Sequence, residues 1–362
     1  MRILLLGEFS GLYKNLKHGL IELGHEVTLL ADGDGWKQIP GADGPLKVGD
    51  RSRLIDKVGR NLSLLKDERL IGYDAVFLVA YRIFNPFVAE HMVRFLRKNN
   101  GSVLLSAAGG GLAYDQAYLS GRFDYSPYDG NPCDCSYVAC GSSLRSKLIE
   151  RERRVVEKYF CEVIPVMWEY QIGFDDWAVP HDSCIPLPVD VSECDYVPNI
   201  PQDKIVIFHG INREEEKGTP IVREALARIE RDYSNDVEVI IDGRMPYEKY
   251  LSVIQRANVV IDQCRAYGYG LNACVSMAQG KAVLSGARDE TLEAFGIKRK
   301  DCPILPIEPD SDQICRQLKW VIEHRNQIPG IGIRSRAYIE KYHDSIKIAG
   351  QYVDVIKKHV KG

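Results

Sequence analysis

The stretch Val259-Val-Ile-Asp-Gln-Cys-Arg-Ala-Tyr-Gly-Tyr-Gly270-Leu-Asn-Ala-Cys-Val-Ser-Met-Ala-Gln-Gly280-Lys-Ala-Val-Leu284 decides the fold class. Val259–Ile261 is a short continuous apolar run, as a strand buried on both faces requires. The turn Tyr267-Gly-Tyr-Gly270 leads into a helix over Leu271–Gln279, which Gly280 stops. A second apolar run, Ala282–Leu284, follows at once. Strand, helix and strand in that order predict two parallel strands joined by a crossover.

Working outward, the same alternation recurs. Strand Ile205–Phe208, helix Pro220–Tyr233, strand Val237–Ile241 and helix Tyr247–Ala257 precede the stretch. Helices at Ser311–His324, Arg334–Tyr342 and Ser345–Lys358 follow it. At the N-terminus, Met1-Arg-Ile-Leu-Leu-Leu-Gly7 reads as a buried strand. A helix through Leu16, Leu20 and Leu23 ends at Gly24, and His25–Ala31 is the next strand. Strands at Ala75–Ala80 and Val103–Ser106 enclose a helix around Phe87–Lys98, and another helix spans Ser142–Tyr159. Between the two series lie Ile185-Pro-Leu-Pro-Val-Asp190 and Val197-Pro-Asn-Ile-Pro201, poor formers of helix or strand. The prediction is α/β: two Rossmann-like doubly wound domains facing a cleft, 1–188 and 189–344. The segment 345–362 is a C-terminal helix packing back on the first.

Composition fits that picture. The 362 residues are 45% hydrophobic and 27% charged, ordinary for a soluble globular chain of two domains. A net charge of −3 argues against a nucleic-acid binder. No apolar run approaches the ~20 residues that cross a bilayer, and no signal peptide is read, so a cytoplasmic protein is expected, at most at the inner face of a membrane. The ten Cys are scattered. Their tightest cluster, Cys133, Cys135 and Cys140, lacks the paired spacing and fourth ligand of a zinc site, and structural thiols are expected.

Parallel sheets of this kind bind ligands at the ends of strands. The first turn, Gly7-Glu-Phe-Ser-Gly11, lacks GxGxxG spacing, which disfavours a dinucleotide although Asp32 follows the second strand. The loop Phe208-His-Gly-Ile-Asn-Arg-Glu-Glu-Glu-Lys-Gly218 is different. It places Arg213 and Lys217 before a helix N-terminus, where an arginine fork, a lysine charge and the helix dipole suit a diphosphate. The three intervening glutamates are expected to face water while both cations turn inward.

These motifs together resemble GT-B glycosyltransferases of the large retaining family-4 type. Asn212-Arg213 and Lys217-Gly218 match the opening of that family's donor domain. Tyr269-Gly270-Leu-Asn-Ala-Cys-Val275-Ser-Met277-Ala278-Gln-Gly280-Lys-Ala-Val283 matches its Gly-rich turn and following helix. Gly24-His25-Glu26-Val27, the bridge ending at Asp190 and Glu340-Lys-Tyr342-His343-Asp344 match elsewhere.

The resemblance implies a nucleotide-sugar donor, UDP- or GDP-linked, and a saccharide or lipid-linked acceptor, with retaining, metal-independent hexosyl transfer in bacterial surface polysaccharide synthesis. Arg213 and Lys217 would hold the diphosphate and stabilise the leaving nucleotide. Backbone amides of Gly268, Tyr269, Gly270 and Leu271 would complete the phosphate cradle, with His209, Gly210, Asn212 and Asn272 as further donor contacts and Tyr267 and Tyr269 stacking on the sugar or nucleotide. Gly243, Arg244 and Met245 would bracket the base. Asp115, in the Gly-rich loop Ser106–Asp115, is the acceptor-side candidate. No metal is expected, Asp32-Gly-Asp34 being the nearest look-alike for a chelating pair.

One departure stands out. Where the family carries a Glu-x7-Glu pair, this chain has Tyr267 and Val275. Three readings are open: other groups such as Asn272, Asp262 or Gln263 hold sugar and ribose; the donor differs; or the scaffold persists without catalysis. A nucleotide-sugar epimerase on the same scaffold is a further alternative. The clusters Arg151–Arg154 and Lys298–Lys300 read as solvated faces, with weak peripheral membrane contact as the second option.

Overall fold

The computed structural model describes residues 1–46, 61–129, 142–211, 213–243 and 247–359. The chain divides into two compact units: Met1–Arg122, Ser136–Pro188 and Ser345–Gly362 form one, Phe123–Cys135 and Val189–Asp344 the other. The stretch from Phe123, described as far as Asp129, therefore groups with the second unit, although it lies within the sequence assigned above to the first domain.

In the first unit the strands are β1 (Arg2–Leu6), β2 (Glu26–Leu30), β3 (Ala75–Leu78), β4 (Ser102–Ala107) and β5 (Glu162–Pro165). They pair in parallel in the order β2-β1-β3-β4-β5. Ile3 to Leu6 and Ala75 to Leu78 are wholly buried, which is why these strands read as unbroken apolar runs. The helix Ser345–His359 belongs to this unit and packs on helix Leu12–Glu22. Their contact passes over Gly19, where a Cβ would lie 2.0 Å from the carbonyl oxygen of Ser345.

The second unit carries β6 (Ile205–Ile211), β7 (Val237–Gly243), β8 (Val259–Ile261), β9 (Ala282–Ser285) and β10 (Leu305–Pro306). Their order is β10-β9-β8-β6-β7, again all parallel. Counted from its own first strand this repeats the first sheet's order, so each sheet reverses direction beside its first strand. In the second unit that switch point lies between β6 and β8. The core is built from Ile205, Ile207, Val259, Ile261, Ala282 and Leu284 against the helices Thr219–Asp232, Ser311–Glu323 and Ile328–Tyr342.

Several elements escaped the sequence reading. The last long helix of the second unit begins at Ile328 rather than Arg334. Pro329 falls in its first turn, where a missing N–H costs nothing, and Gly332 sits against the carbonyl of Gly280. Helix Leu112–Leu119, strand β5 and helix Trp168–Trp177 are also additional. None of the described helices is long and apolar enough to cross a membrane.

Candidate functional site

At the switch point of the second unit, the chain leaves β6 and closes a helical turn: Lys217 N–H donates to Arg213 O, and Thr219 N–H to Glu214 O. Gly218 follows with φ +76, and a Cβ there would lie 2.3 Å from Cys264 Sγ, so the position tolerates only glycine. Cys264 N–H donates to Lys217 O at 3.0 Å. The loop after β6 is thereby fastened to the loop after β8.

Asp262, the first residue beyond β8, organises what lies between. Its Oδ1 accepts from Lys217 Nζ at 2.8 Å and from Asn272 Nδ2 at 2.8 Å; its Oδ2 accepts from Gly270 N–H at 3.1 Å. Lys217 and Asp262 are both buried. Burial works against the Asp262 carboxylate, but the Lys217 charge and these hydrogen bonds outweigh it and hold the group below the usual range. Gly270 caps helix Leu271–Ala278. The N–H groups of Leu271, Asn272 and Ala273 fall in its first turn, which no α-helix satisfies internally.

The two expected cations therefore part company. Lys217 turns inward, as predicted, but its charge is met by Asp262. Arg213 turns outward: its side chain is 61% exposed and pairs with Glu216 at 2.9 Å. The expectation that both face inward is corrected. A buried carboxylate one strand away gives Lys217 a partner, and Glu216, three residues on, gives one to Arg213.

His209 is corrected too. It is fully buried, with Nδ1 2.9 Å from Ile261 O and Nε2 2.9 Å from Thr219 Oγ1. The carbonyl can only accept, so Nδ1 carries the proton and Nε2 accepts from the threonine. Burial pushes the ring's pKa down to about 4. Both nitrogens serve the fold, leaving none for a donor.

The tyrosines of the turn also point into protein. Tyr267, at the position of the expected Glu, accepts from Asp124 N–H at 2.8 Å, stands under Arg288 and packs on Tyr125 and Phe123. Tyr269 is buried, its hydroxyl 2.5 Å from that of Tyr338 and 3.0 Å from His343 Nε2. Both side chains are buried in packing within the second unit rather than presented at the open side of the turn. Gly268 O accepts from Gln263 Nε2. Gly210 lies within β6 and Gly243 ends β7. Asn212, Arg244 and Met245 lie outside the described residues, as do Cys133, Cys135 and Cys140.

Two polar atoms of this site are buried without a hydrogen-bond partner among the described residues: Asn272 Oδ1 and Arg265 Nη1. Asn272 was among the expected donor contacts; Arg265 was not. Arg265 carries no local signal, because its place depends on Gly218, 47 positions earlier in the chain.

In the first unit, Glu8 fills the turn that a dinucleotide would need. Its carboxyl group accepts from Gly11 N–H at 2.9 Å and Lys14 N–H at 2.8 Å, so the first turn of helix Leu12–Glu22 is already occupied by a side chain, one whose pKa burial pushes up to about 7. Asp115 is wholly buried and paired with Arg82. It does not line the Gly-rich loop's opening, and its acceptor-side role is corrected. The carboxyl that does line a small pocket there, with Gly110, Gly111, Tyr114 and Tyr170, is Glu152. Burial pushes it up to about 7, against the pull of Arg82 and with the repulsion of Asp115. The sequence placed Glu152 in a highly charged helix, where it looked like one more solvated residue.

No family model and no curated protein matches the chain. Solved structures do. Sucrose-phosphate synthase from Thermosynechococcus elongatus superimposes with TM-score 0.66 at 15% identity, covering 99% of each chain. Anabaena HepE in complex with UDP-glucose gives 0.62 at 14%, covering 99% of this chain and 100% of that one. UDP-GlcNAc 2-epimerase from Neisseria meningitidis bound to UDP-GlcNAc gives 0.53 at 12%, covering 99% and 100%. These likenesses establish the fold: a pair of parallel-sheet Rossmann-like units of the kind found in GT-B glycosyltransferase structures.

Proposed function

We propose that the chain is a glycosyltransferase that binds a nucleotide-sugar donor, UDP- or GDP-linked, on its second unit and passes the sugar to a saccharide or lipid-linked acceptor. The observation that carries this reading is the Asp262 network. One buried carboxylate at the switch point fixes Lys217, Gly270 and Asn272, and so holds the N-terminal turn of helix Leu271–Ala278 in one geometry. First-turn N–H groups held in this way suit a diphosphate. HepE, of the same fold, is solved with UDP-glucose.

In this reading Lys217 acts through Asp262 as a positioning residue. The helix amides meet the charge that grows on the leaving nucleotide, and Asn272 Oδ1 accepts from a hydroxyl of the donor. The helix amides stand against the diphosphate, and metal-independent transfer is a part of the proposal that follows the family resemblance. Glu152, in the first unit, is the carboxyl assigned to the acceptor side. Retention of configuration, a role in surface polysaccharide synthesis and a cytoplasmic setting are parts of the proposal that follow the family resemblance.

Calorimetric titration with UDP, GDP and ADP tests it, followed by nucleotide release from the bound donor in the presence of saccharide acceptors. Saturable binding of one nucleotide, weakened by Asn272→Ala when the matching sugar donor replaces it, and acceptor-dependent release are expected. A folded protein that binds none of the three would sink the reading. The epimerase likeness favours a second reading, donor epimerisation; conversion of the donor sugar without any acceptor would establish it instead. Tyr267, packed where the resembling enzymes place a glutamate, favours a silent nucleotide-binding scaffold, which tight binding without turnover would reveal.

A further inference from the structure

We infer that Arg265, rather than the Arg213 and Lys217 pair, is the side-chain cation that grips the phosphate groups of the ligand at this switch point. The inference deepens the proposed function and rests on it. Lys217 is already neutralised by Asp262 at 2.8 Å, and Arg213 stands in solvent beside Glu216 at 2.9 Å. Arg288 is held by Asp124 at 2.9 Å and Glu290 at 3.0 Å. Arg265 differs from all three: its Nη1 is buried and has no hydrogen-bond partner among the described residues.

A guanidinium N–H removed from water and given nothing in return is a standing cost, and a ligand that supplies the acceptor removes it. Its location fits. The Arg265 stem lies across Gly218, with Cγ 3.2 Å from the point a Cβ would occupy there, and Gly218 opens helix Thr219–Asp232. A side chain at position 218 would push the arginine away, which gives that glycine a second reason besides its backbone angle. On the same network Asn272 Oδ1 is a buried acceptor without a donor among the described residues. An orphaned donor and an orphaned acceptor call for a ligand with both phosphate oxygens and hydroxyls, as a nucleoside-diphosphate sugar has. A planar guanidinium grips phosphate through two parallel N–H groups, which a lysine cannot do.

The test is calorimetric titration of UDP, UMP and uridine (or the GDP or ADP series, whichever the wild type binds) into wild type, Arg265→Gln, Arg265→Lys and Arg213→Ala. Melting curves verify that each variant is folded. Loss of a charge-assisted contact is expected to weaken diphosphate binding about 10- to 100-fold in Arg265→Gln. The loss should be smaller for the monophosphate and absent for the nucleoside, with partial recovery in Arg265→Lys. Arg213→Ala should stay within about 3-fold of wild type, the effect typical of an exposed ion-pair residue. Wild-type affinity in folded Arg265→Gln, with Arg213→Ala weakened instead, overturns the inference while leaving the nucleotide site intact. An equal loss for nucleoside and diphosphate also overturns it, because the arginine would then be shaping the fold. A wild type that binds no nucleotide removes the inference together with the function it rests on.

Discussion

Lys217 and Asp262 form a buried ion pair, 2.8 Å apart, that links the loops after β6 and β8. Neither has water to fall back on, so the pair matters less for its attraction than for what either partner leaves behind. Lys217→Met should strand a buried carboxylate and cost about 3–5 kcal/mol. Asp262→Leu combined with Lys217→Met should recover much of that, since it removes both charges. Denaturant melts of the three variants check the order; a double variant less stable than either single one would contradict it. Nucleotide binding should fall in the double variant even where stability returns, because Gly270 and Asn272 lose their anchor.

His209 should give the second unit an acid limit. Its pKa lies at about 4 in the fold against 6.5 for the free ring. Between those values the unfolded chain takes up a proton that the folded one refuses, so stability is fully present above 6.5 and is lost as pH falls towards 4. The shift corresponds to roughly 3 kcal/mol. Calorimetric melting from about pH 8 down to about pH 4 should show a steeper fall for wild type than for His209→Gln, which has no proton to gain. Parallel curves would assign the acid limit to other groups.

The local parts of this molecule were legible and the long-range ones were not. Lys217-Gly218 and Tyr269-Gly270 announce turns before helices, because glycine and a helix start act within a few residues. That Asp262 would meet Lys217 depends on β6 and β8 lying side by side, and no spacing in the chain reports it. The same blindness hid Arg265, and it turned Arg213 inward on paper when a neighbouring glutamate holds it outside. Tyr267 stood out only as a departure from the Glu-x7-Glu pair; the packing of residues 123–129 shows what it holds. Pro329, Gly330 and Gly332 hid the first turns of the helix that ends at Tyr342, because local propensity opposes a helix there while Gly332 packs against the Gly280 carbonyl.

Tyr267 holds the segment after Phe123 by hydrogen bonding to Asp124, whose amide donates to its hydroxyl at 2.8 Å, and by ring contacts. Tyr267→Phe keeps the ring and removes the hydroxyl with its hydrogen bonding to Asp124, at a cost of about 1 kcal/mol. Hydrogen exchange at the Asp124 amide should accelerate while amides of the β6 core stay protected. Unchanged exchange would show that Arg288, which reaches Asp124 Oδ2 at 2.9 Å, suffices to hold the segment.

Two glycines on one helix pair should respond in opposite ways to the same substitution. At Gly19 an added Cβ would lie 2.0 Å from the backbone oxygen of Ser345 and 2.9 Å from the Ala349 Cβ, so helix Ser345–His359 must shift to admit it. Backbone cannot rotate aside as a side chain can, and Gly19→Ala should cost about 3 kcal/mol, the upper end for overpacking. Gly350, on the C-terminal helix itself, would place a Cβ with nothing within 4 Å. There Gly350→Ala should stabilise by up to about 1 kcal/mol through helix propensity alone. Thermal melts measure both, and limited proteolysis locates the damage: Gly19→Ala should expose the chain near Ser345 to cleavage, and Gly350→Ala should not. Equal effects from the two substitutions would mean that the C-terminal helix is not seated against Gly19.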